Sequence, residues 1–146
     1  MLARRELSVE DIRARLLHRQ HPPATVETAI RQLLGNGALD DRRVAVAYAR
    51  TAAKVKGRGR LRVLRELAAM GIAKEIAAEA VGDVFGDIDE RALISRAIQK
   101  KLRGRTKLAS RQERARLYQF LMRQGFTPAG IAAAMRRLGG GRDSLE

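Results

Sequence analysis

The sequence predicts an all-α fold: three tandem helical repeats that form an elongated, curved array, with the first repeat truncated at its N-terminus. Three observations favour this fold. An apolar pattern with helical spacing occurs three times, at intervals of roughly fifty residues. Turn residues recur at the same interval, and proline stands twice at the same point of the pattern. No stretch of useful length alternates apolar and polar residues, so we expect no β-strands.

The repeated pattern is clearest in residues 61–81, where two apolar helices are separated by a glycine. The first helix carries Val63 and Leu67, and apolar residues occupy the corresponding positions of the other copies, namely Ile12 with Leu16 and Leu117 with Leu121. Pro23 and Pro128 both fall in the first turn of the following helix, where a missing N–H costs nothing. Agreement of core positions, turn and proline together indicates a tandem repeat.

Composition narrows the class of protein. The 146 residues suffice for one compact domain or a short array of small modules. There is no cysteine, which excludes disulfides, thiolate metal sites and cysteine catalysis. No apolar run approaches the roughly 18 residues that span a bilayer, and the charged start has no apolar signal core. We therefore expect a cytoplasmic, monomeric protein without membrane contact.

Capping residues predict the helices of the first two repeats. Ser8 and Asp11 have the spacing of a capping box, so a helix is expected to begin after Ser8. Repeat one is predicted over residues 1–39 and is expected to lack its first helix, because few residues precede Ser8. Repeat two is predicted over residues 40–88, and its last residues, from Gly82 to Ile88, are expected to form the boundary to the next repeat. Val55 is among the apolar residues of its first helix.

The third repeat is predicted over residues 89–138. Thr127 and Pro128 supply the N-cap and the first-turn proline of its last helix. Three consecutive glycines follow this helix, so we expect residues 139–146 to form a mobile tail.

Positive charge is concentrated in two segments of a chain whose formal net charge is +14. Residues 50–65 hold seven basic residues and no acid, and residues 100–116 hold eight with one acid, whereas residues 71–90 carry six acids. Such an imbalance favours a polyanionic partner, the alternative being a merely solvated surface. We predict that a partner protein or DNA is contacted by Arg50, Lys54, Lys56, Arg58, Arg60, Arg62, Arg65, Lys100, Lys101, Arg103, Arg105, Lys107, Arg111, Arg114 and Arg116.

Three of these arginines have the spacing of a single helix face. Arg58, Arg62 and Arg65 are four and three residues apart, opposite the apolar residues of the same segment. The scaffold of the repeat does not require arginine at these positions, because their counterparts are Leu7, Asp11 and Ala14 in repeat one and Gln112, Arg116 and Gln119 in repeat three. We predict that this face binds a partner; the alternative is a solubilising face whose apolar stems lie along the helix.

No group of residues has the composition of a catalytic or metal site. His18 and His21 are three residues apart, but no cysteine or suitably spaced acid completes a metal site. We expect His21 to pack at the corner between two helices, because it aligns with Ile72 and Phe126 of the other repeats. Paired acids at the helix starts fit capping better than acid–base chemistry. The sequence therefore predicts a protein that is not an enzyme and needs no cofactor or metal.

Aromatic residues are scarce: two tyrosines, three phenylalanines and no tryptophan. Four of these five fit core positions or the corner between helices, which leaves no evident platform for stacking bases. We therefore expect contacts with single-stranded DNA to be weak, sensitive to salt and made mainly to phosphates.

A resemblance to a known family is carried by the segments LDDRRVAVAYAR, GRGRLRVLREL and RARLYQFLMRQGFTPAGI. They resemble the RecX family of bacterial recombination regulators, and the opening LARRELSVEDIRARLL looks like the first ordered segment of that family. The resemblance covers nearly the whole chain. One departure is Arg58, which stands between two glycines where the family usually has an aromatic residue.

The resemblance implies an architecture of tandem three-helix repeats and a role in recombination. By this likeness the protein would bind the RecA recombinase filament on single-stranded DNA. It would limit filament growth and lower the ATP hydrolysis, strand exchange and co-protease activity of RecA. The alternative is a basic helical protein that binds nucleic acid nonspecifically and has no dedicated protein partner.

Overall fold

The computed structural model describes residues 7–37 and 39–138. This part of the chain contains eight α-helices and no β-strand, which confirms the predicted all-α repeat fold. The helices are α1 (Val9–His18), α2 (Pro23–Gly35), α3 (Asp41–Lys54), α4 (Arg60–Ala69), α5 (Lys74–Phe85), α6 (Glu90–Leu102), α7 (Arg111–Gln124) and α8 (Pro128–Arg137). The predictions for the start of repeat one and for the tail at residues 139–146 fall outside the described residues.

Side-chain caps define several helix starts as predicted. The Ser8 hydroxyl accepts the N–H of Asp11 at 3.1 Å, and the Asp11 carboxylate accepts the N–H of Ser8, so both halves of the capping box are present. The Thr127 hydroxyl accepts the N–H of Gly130 at 3.1 Å, immediately before the proline that opens α8. Each cap satisfies an amide that the helix itself leaves unpaired.

The helices group into three units, each with its own apolar cluster: α1 with α2, α3 with α4 and α5, and α6 with α7 and α8. Extensive helix packing occurs within these units. The equivalent helices α4 and α7 bury Leu67 and Leu121 completely, whereas Leu16 of α1 is only half-buried. The first unit therefore has the smallest core, because the described residues include no partner there equivalent to α3 or α6.

Three local expectations are wrong. His21 is exposed instead of packed at the corner, because no third helix within the described residues covers that side of α1 and α2. Val55 is 77% exposed, since α3 ends at Lys54 and Val55 is already its C-cap. The boundary expected from Gly82 onward begins later, because α5 continues to Phe85.

Backbone groups join the second unit to the third. The N–H of Gly59 donates to the carbonyl of Gln124 at 2.8 Å, and the N–H of Leu61 donates to the carbonyl of Gly125 at 3.0 Å. The N-terminus of α4 thus meets the C-terminal turn of α7, which satisfies unpaired groups of both helix ends and aligns their dipoles head to tail. A Cβ on Gly59 would lie 2.5 Å from the carbonyl carbon of Gly125, so this approach requires glycine.

The first unit joins the second in the same manner. The Ser8 hydroxyl donates to the carbonyl of Met70 at 2.9 Å, and the N–H of Val9 donates to the Asp41 carboxylate at 2.8 Å. The N-terminus of α1 therefore meets the C-terminal turn of α4. The helices α7, α4 and α1 therefore follow one another end to end, in that order. This order is the reverse of the order of their units along the chain.

Candidate functional site

A cluster of polar side chains surrounds the joint between α4 and α7. The Arg58 guanidinium donates to the Glu66 carboxylate at 3.0 Å, and the Tyr48 hydroxyl donates to the same carboxylate at 2.8 Å. Arg62 donates to Glu66 at 2.9 Å through Nε and to the side-chain oxygen of Gln124 at 2.9 Å through Nη1. One carboxylate of the second unit is thus linked through Arg62 to the third.

Ionisation of this cluster follows from its burial and its partners. Burial alone would raise the pKa of Glu66, but the hydrogen bonds from Arg62 and Tyr48 and the charges of the two arginines together lower it. Burial, followed by the hydrogen bond to Glu66, raises the pKa of Tyr48. At neutral pH Glu66 is therefore an anion that holds two arginines in place.

Two of the three arginines predicted to form one binding face are engaged within the molecule. The side chains of Arg58 and Arg62 are only 21% and 30% exposed, and both are engaged with Glu66. Arg58 also precedes the first residue of α4. Of the three, only Arg65 is exposed. The physical reason is that Glu66 lies one turn beyond Arg62, where a carboxylate pairs with arginine in preference to leaving it free.

A basic cleft of about 390 Å³ lies between the second and third units. Its cations come from the end of α3 and from α6, and they are Lys54, Lys56, Arg96, Lys100 and Lys101. None of the described residues that line it is acidic. The fold therefore brings together parts of both basic segments that the sequence shows far apart.

Apolar side chains form the floor of the basic cleft. Leu93 and Ala97 of α6 contribute, together with Val55 and the half-buried Phe120 of α7. The Lys101 ammonium lies 4.6 Å from the centre of the Phe120 ring, a cation–π arrangement. The site thus combines a positive rim with an aromatic surface.

A second groove, of about 530 Å³, runs beside α7 and shares Lys101 with the basic cleft. It is also lined by Arg116, Arg123 and a single acid, Glu113. Hydrogen bonds from Arg105 and from the N–H of Ala109 lower the pKa of Glu113 to about 2. The Glu113 carboxylate therefore holds the segment before α7 in place. Its negative charge also balances the positive charge of Arg105.

The remaining predicted residues lie elsewhere. Arg114 donates to the carbonyl of Met135 at 3.2 Å and thereby ties α7 to α8. The others are on the exposed surface: Arg50, Arg60, Arg65, Arg103, Lys107 and Arg111. The basic cleft contains two polar residues that sequence reasoning missed, Arg96 and Gln124. Arg96 had a usable signal, because it lies four residues before Lys100 on the same helix face.

Within residues 7–37 and 39–138, no group of three His, Cys, Asp or Glu residues could hold a metal ion. No helix in the same ranges is both long and apolar enough to cross a membrane.

Comparison with known proteins gives consistent matches. The family model for the second three-helix domain of RecX matches residues 40–81, and the model for the third matches residues 89–135. Regulatory protein RecX of Halorhodospira halophila is 33% identical over 134 residues, which are 92% of this chain and 81% of that protein. Regulatory protein RecX of Pelodictyon phaeoclathratiforme is 30% identical over 138 residues, which are 94% of this chain and 84% of that protein.

Solved structures share the fold. RecX from Lactobacillus salivarius superposes with a TM-score of 0.74 at 17% identity, covering 91% of this chain and 86% of that chain. A second structure of regulatory protein RecX gives a TM-score of 0.76 at 19% identity, covering 90% of this chain and 64% of that chain.

Proposed function

The chain belongs to the RecX family of regulatory proteins, and from this premise we propose that it binds the RecA filament on single-stranded DNA. There it limits filament growth and lowers ATP hydrolysis, strand exchange and co-protease activity. The observation that carries the proposal is the family match, since the two family models cover residues 40–81 and 89–135. The basic cleft lies between these same two domains.

The charges of the molecule support a nucleoprotein partner. The described cations of the basic cleft are exposed to solvent, and no acid lines the cleft beside them. Such a site suits a partner whose surface is rich in phosphates. Outside the cleft, exposed arginines such as Arg50 and Arg65 are available for contacts with acidic patches of a protein. A filament presents both kinds of partner side by side.

The test is the steady-state rate of ATP hydrolysis by RecA on single-stranded DNA. Added protein should lower the rate in a concentration-dependent manner, and filament length measured by electron microscopy should fall in parallel. Competition for free DNA is the main alternative cause of a lower rate. Filaments assembled before the addition, with no free DNA remaining, separate the two causes, because only filament binding acts there.

The opposing result is also defined. If preassembled filaments are unaffected while free DNA is bound, the chain is a nonspecific nucleic-acid-binding protein without a dedicated partner. That outcome would contradict the proposed function and would leave the family assignment unchanged.

A further inference from the structure

The basic cleft gathers five cations, and none of the described residues that line it is an acid. Lys54, Lys56, Arg96 and Lys100 make no side-chain ion pair with any acid in the described ranges. Some arginines elsewhere are paired within the chain, as the ion pairs of Arg42 with Glu79 and of Arg105 with Glu113 illustrate. Like charges gathered at one site repel one another, so this arrangement is stabilised by an anion from outside the chain.

The floor of the basic cleft indicates what kind of anion it is. Phe120, Leu93 and Ala97 line the basic cleft together with the cations, so a partner that binds there also meets apolar side chains. Val55, at 77% exposure, adds an uncovered apolar side chain. A partner that fits this lining has negative charges with flat apolar groups close to them.

We propose that the basic cleft binds a single-stranded nucleic acid, with its phosphates on the lysine rim and an unpaired base on Phe120. The inference deepens the proposed function by assigning its DNA contact to one site between the second and third units. It does not depend on contact with a recombinase.

Two comparisons favour a single strand. In a duplex the bases are stacked and paired, so they cannot reach the floor while the phosphates contact the rim. An acidic peptide is less suited, since most of its carboxylates have no flat ring beside them that could lie on Phe120. Every nucleotide, in contrast, joins a phosphate to a base with a flat face.

Lys101 is the residue that changes partner on binding. In the free protein its ammonium lies over the Phe120 ring and covers the face that a base would use. Lys101 also lines the second groove, so its side chain is placed at the boundary of both. When a strand enters, the ammonium moves to a phosphate and the base takes its place on the ring.

The experiment measures binding of labelled oligo-dT and of a duplex by fluorescence anisotropy, with purified protein and no RecA. Oligo-dT should bind more tightly than the duplex. The double variant K54Q/K100Q should weaken oligo-dT binding and reduce the slope of log affinity against log salt by about 1.4, since each single-strand phosphate contact contributes about 0.7. The control R136Q/R137Q removes the same charge from the exposed end of α8 and should leave both quantities nearly unchanged.

The aromatic contact is tested with conservative changes at Phe120. F120L keeps an apolar side chain in the floor but removes the flat face, so it should weaken oligo-dT binding roughly tenfold and leave duplex binding unchanged. F120Y restores a stacking face and should restore binding. Circular dichroism of each variant checks that helix content is retained, so a loss of binding by an unfolded protein is recognised.

Several results would overturn the inference. These are equal affinity for oligo-dT and duplex, an equal effect of R136Q/R137Q and K54Q/K100Q, or competition by polyglutamate as strong as that by oligo-dT. Failure here is distinct from failure of the proposed function, because RecA is absent. Suppose that the wild-type protein inhibits preassembled filaments but K54Q/K100Q binds oligo-dT as tightly as wild type does. That result would refute only the assignment of the DNA contact to the basic cleft.

Discussion

Gly59 allows the backbones of α4 and α7 to meet. Its φ of −84° is available to any residue, so substitution by alanine tests the close approach alone. The added Cβ would lie 2.5 Å from the backbone of Gly125, and we expect G59A to lower the free energy of unfolding by about 1–3 kcal/mol. Urea denaturation provides the measurement.

Gly82 is the matched control for this substitution. It lies inside α5, and a Cβ there would meet nothing within 4 Å. G82A should therefore raise the free energy of unfolding by about 0.5–1 kcal/mol through helix propensity. If G59A did not lower the free energy of unfolding either, the joint between α4 and α7 would open at no cost in free energy. That result would contradict the hydrogen bond from Gly59 to Gln124.

Glu113 predicts a pH dependence of stability. Its pKa is lowered from 4.5 to about 2, chiefly by Arg105 and then by the N–H of Ala109. A carboxylate whose folded pKa is depressed stabilises the fold above its unfolded pKa, and this contribution is lost as the pH falls from 4.5 towards 2. The stability difference between wild type and E113Q should shrink over that interval. A difference that stays constant over that interval would contradict this prediction.

At the scale of the helix, leucines at the same position of α1, α4 and α7 show how tightly the core of each unit is packed. Leu67 and Leu121 are fully buried, so L67A and L121A should each cost about 2–5 kcal/mol of unfolding free energy. Leu16 occupies the same place in α1 but is half-buried, and L16A should cost clearly less. Chemical denaturation of the three variants gives the order. Equal losses would mean that the first unit is packed as tightly as the others.

Helix boundaries and core positions could be predicted because their causes are local. Ser8 with Asp11 and Thr127 with the following proline cap helices through residues at most three positions away. Leu67 and Leu121 were recognisable as core because the repeat shows the same apolar position more than once. His21 was misjudged for the opposite reason: its burial depends on a third helix, not on the pattern of its own turn.

The candidate site could be predicted only in part, because it depends on contacts between distant segments. The two basic segments were visible, but the sequence does not show that Lys54 and Lys100 share one cleft. Nor does it show that Arg62 reaches Gln124 across the joint. Charge clustering identifies the kind of partner, whereas the tertiary fold decides which cations remain unpaired.

At the scale of the whole molecule, the units meet mainly at their joints, since extensive helix packing stays within each unit. A partner that occupies the basic cleft touches both the second and the third unit. Such a partner binds the two units only while they are joined. It therefore stabilises the joint between them by a free energy that rises with the logarithm of the partner's concentration. Binding and the relative placement of these units are therefore linked.

The salt dependence of association distinguishes a filament regulator from a nonspecific DNA-binding protein. If all five cations of the basic cleft contact phosphates of a single strand, affinity should fall about a hundredfold between 50 and 200 mM salt. Binding to a preassembled RecA filament should fall less, because contacts with the protein subunits are screened less when they are partly buried. Co-sedimentation with filaments and anisotropy on free DNA measure the two slopes under the same conditions. Equal slopes would mean that phosphates alone hold the protein, which would favour the nonspecific alternative.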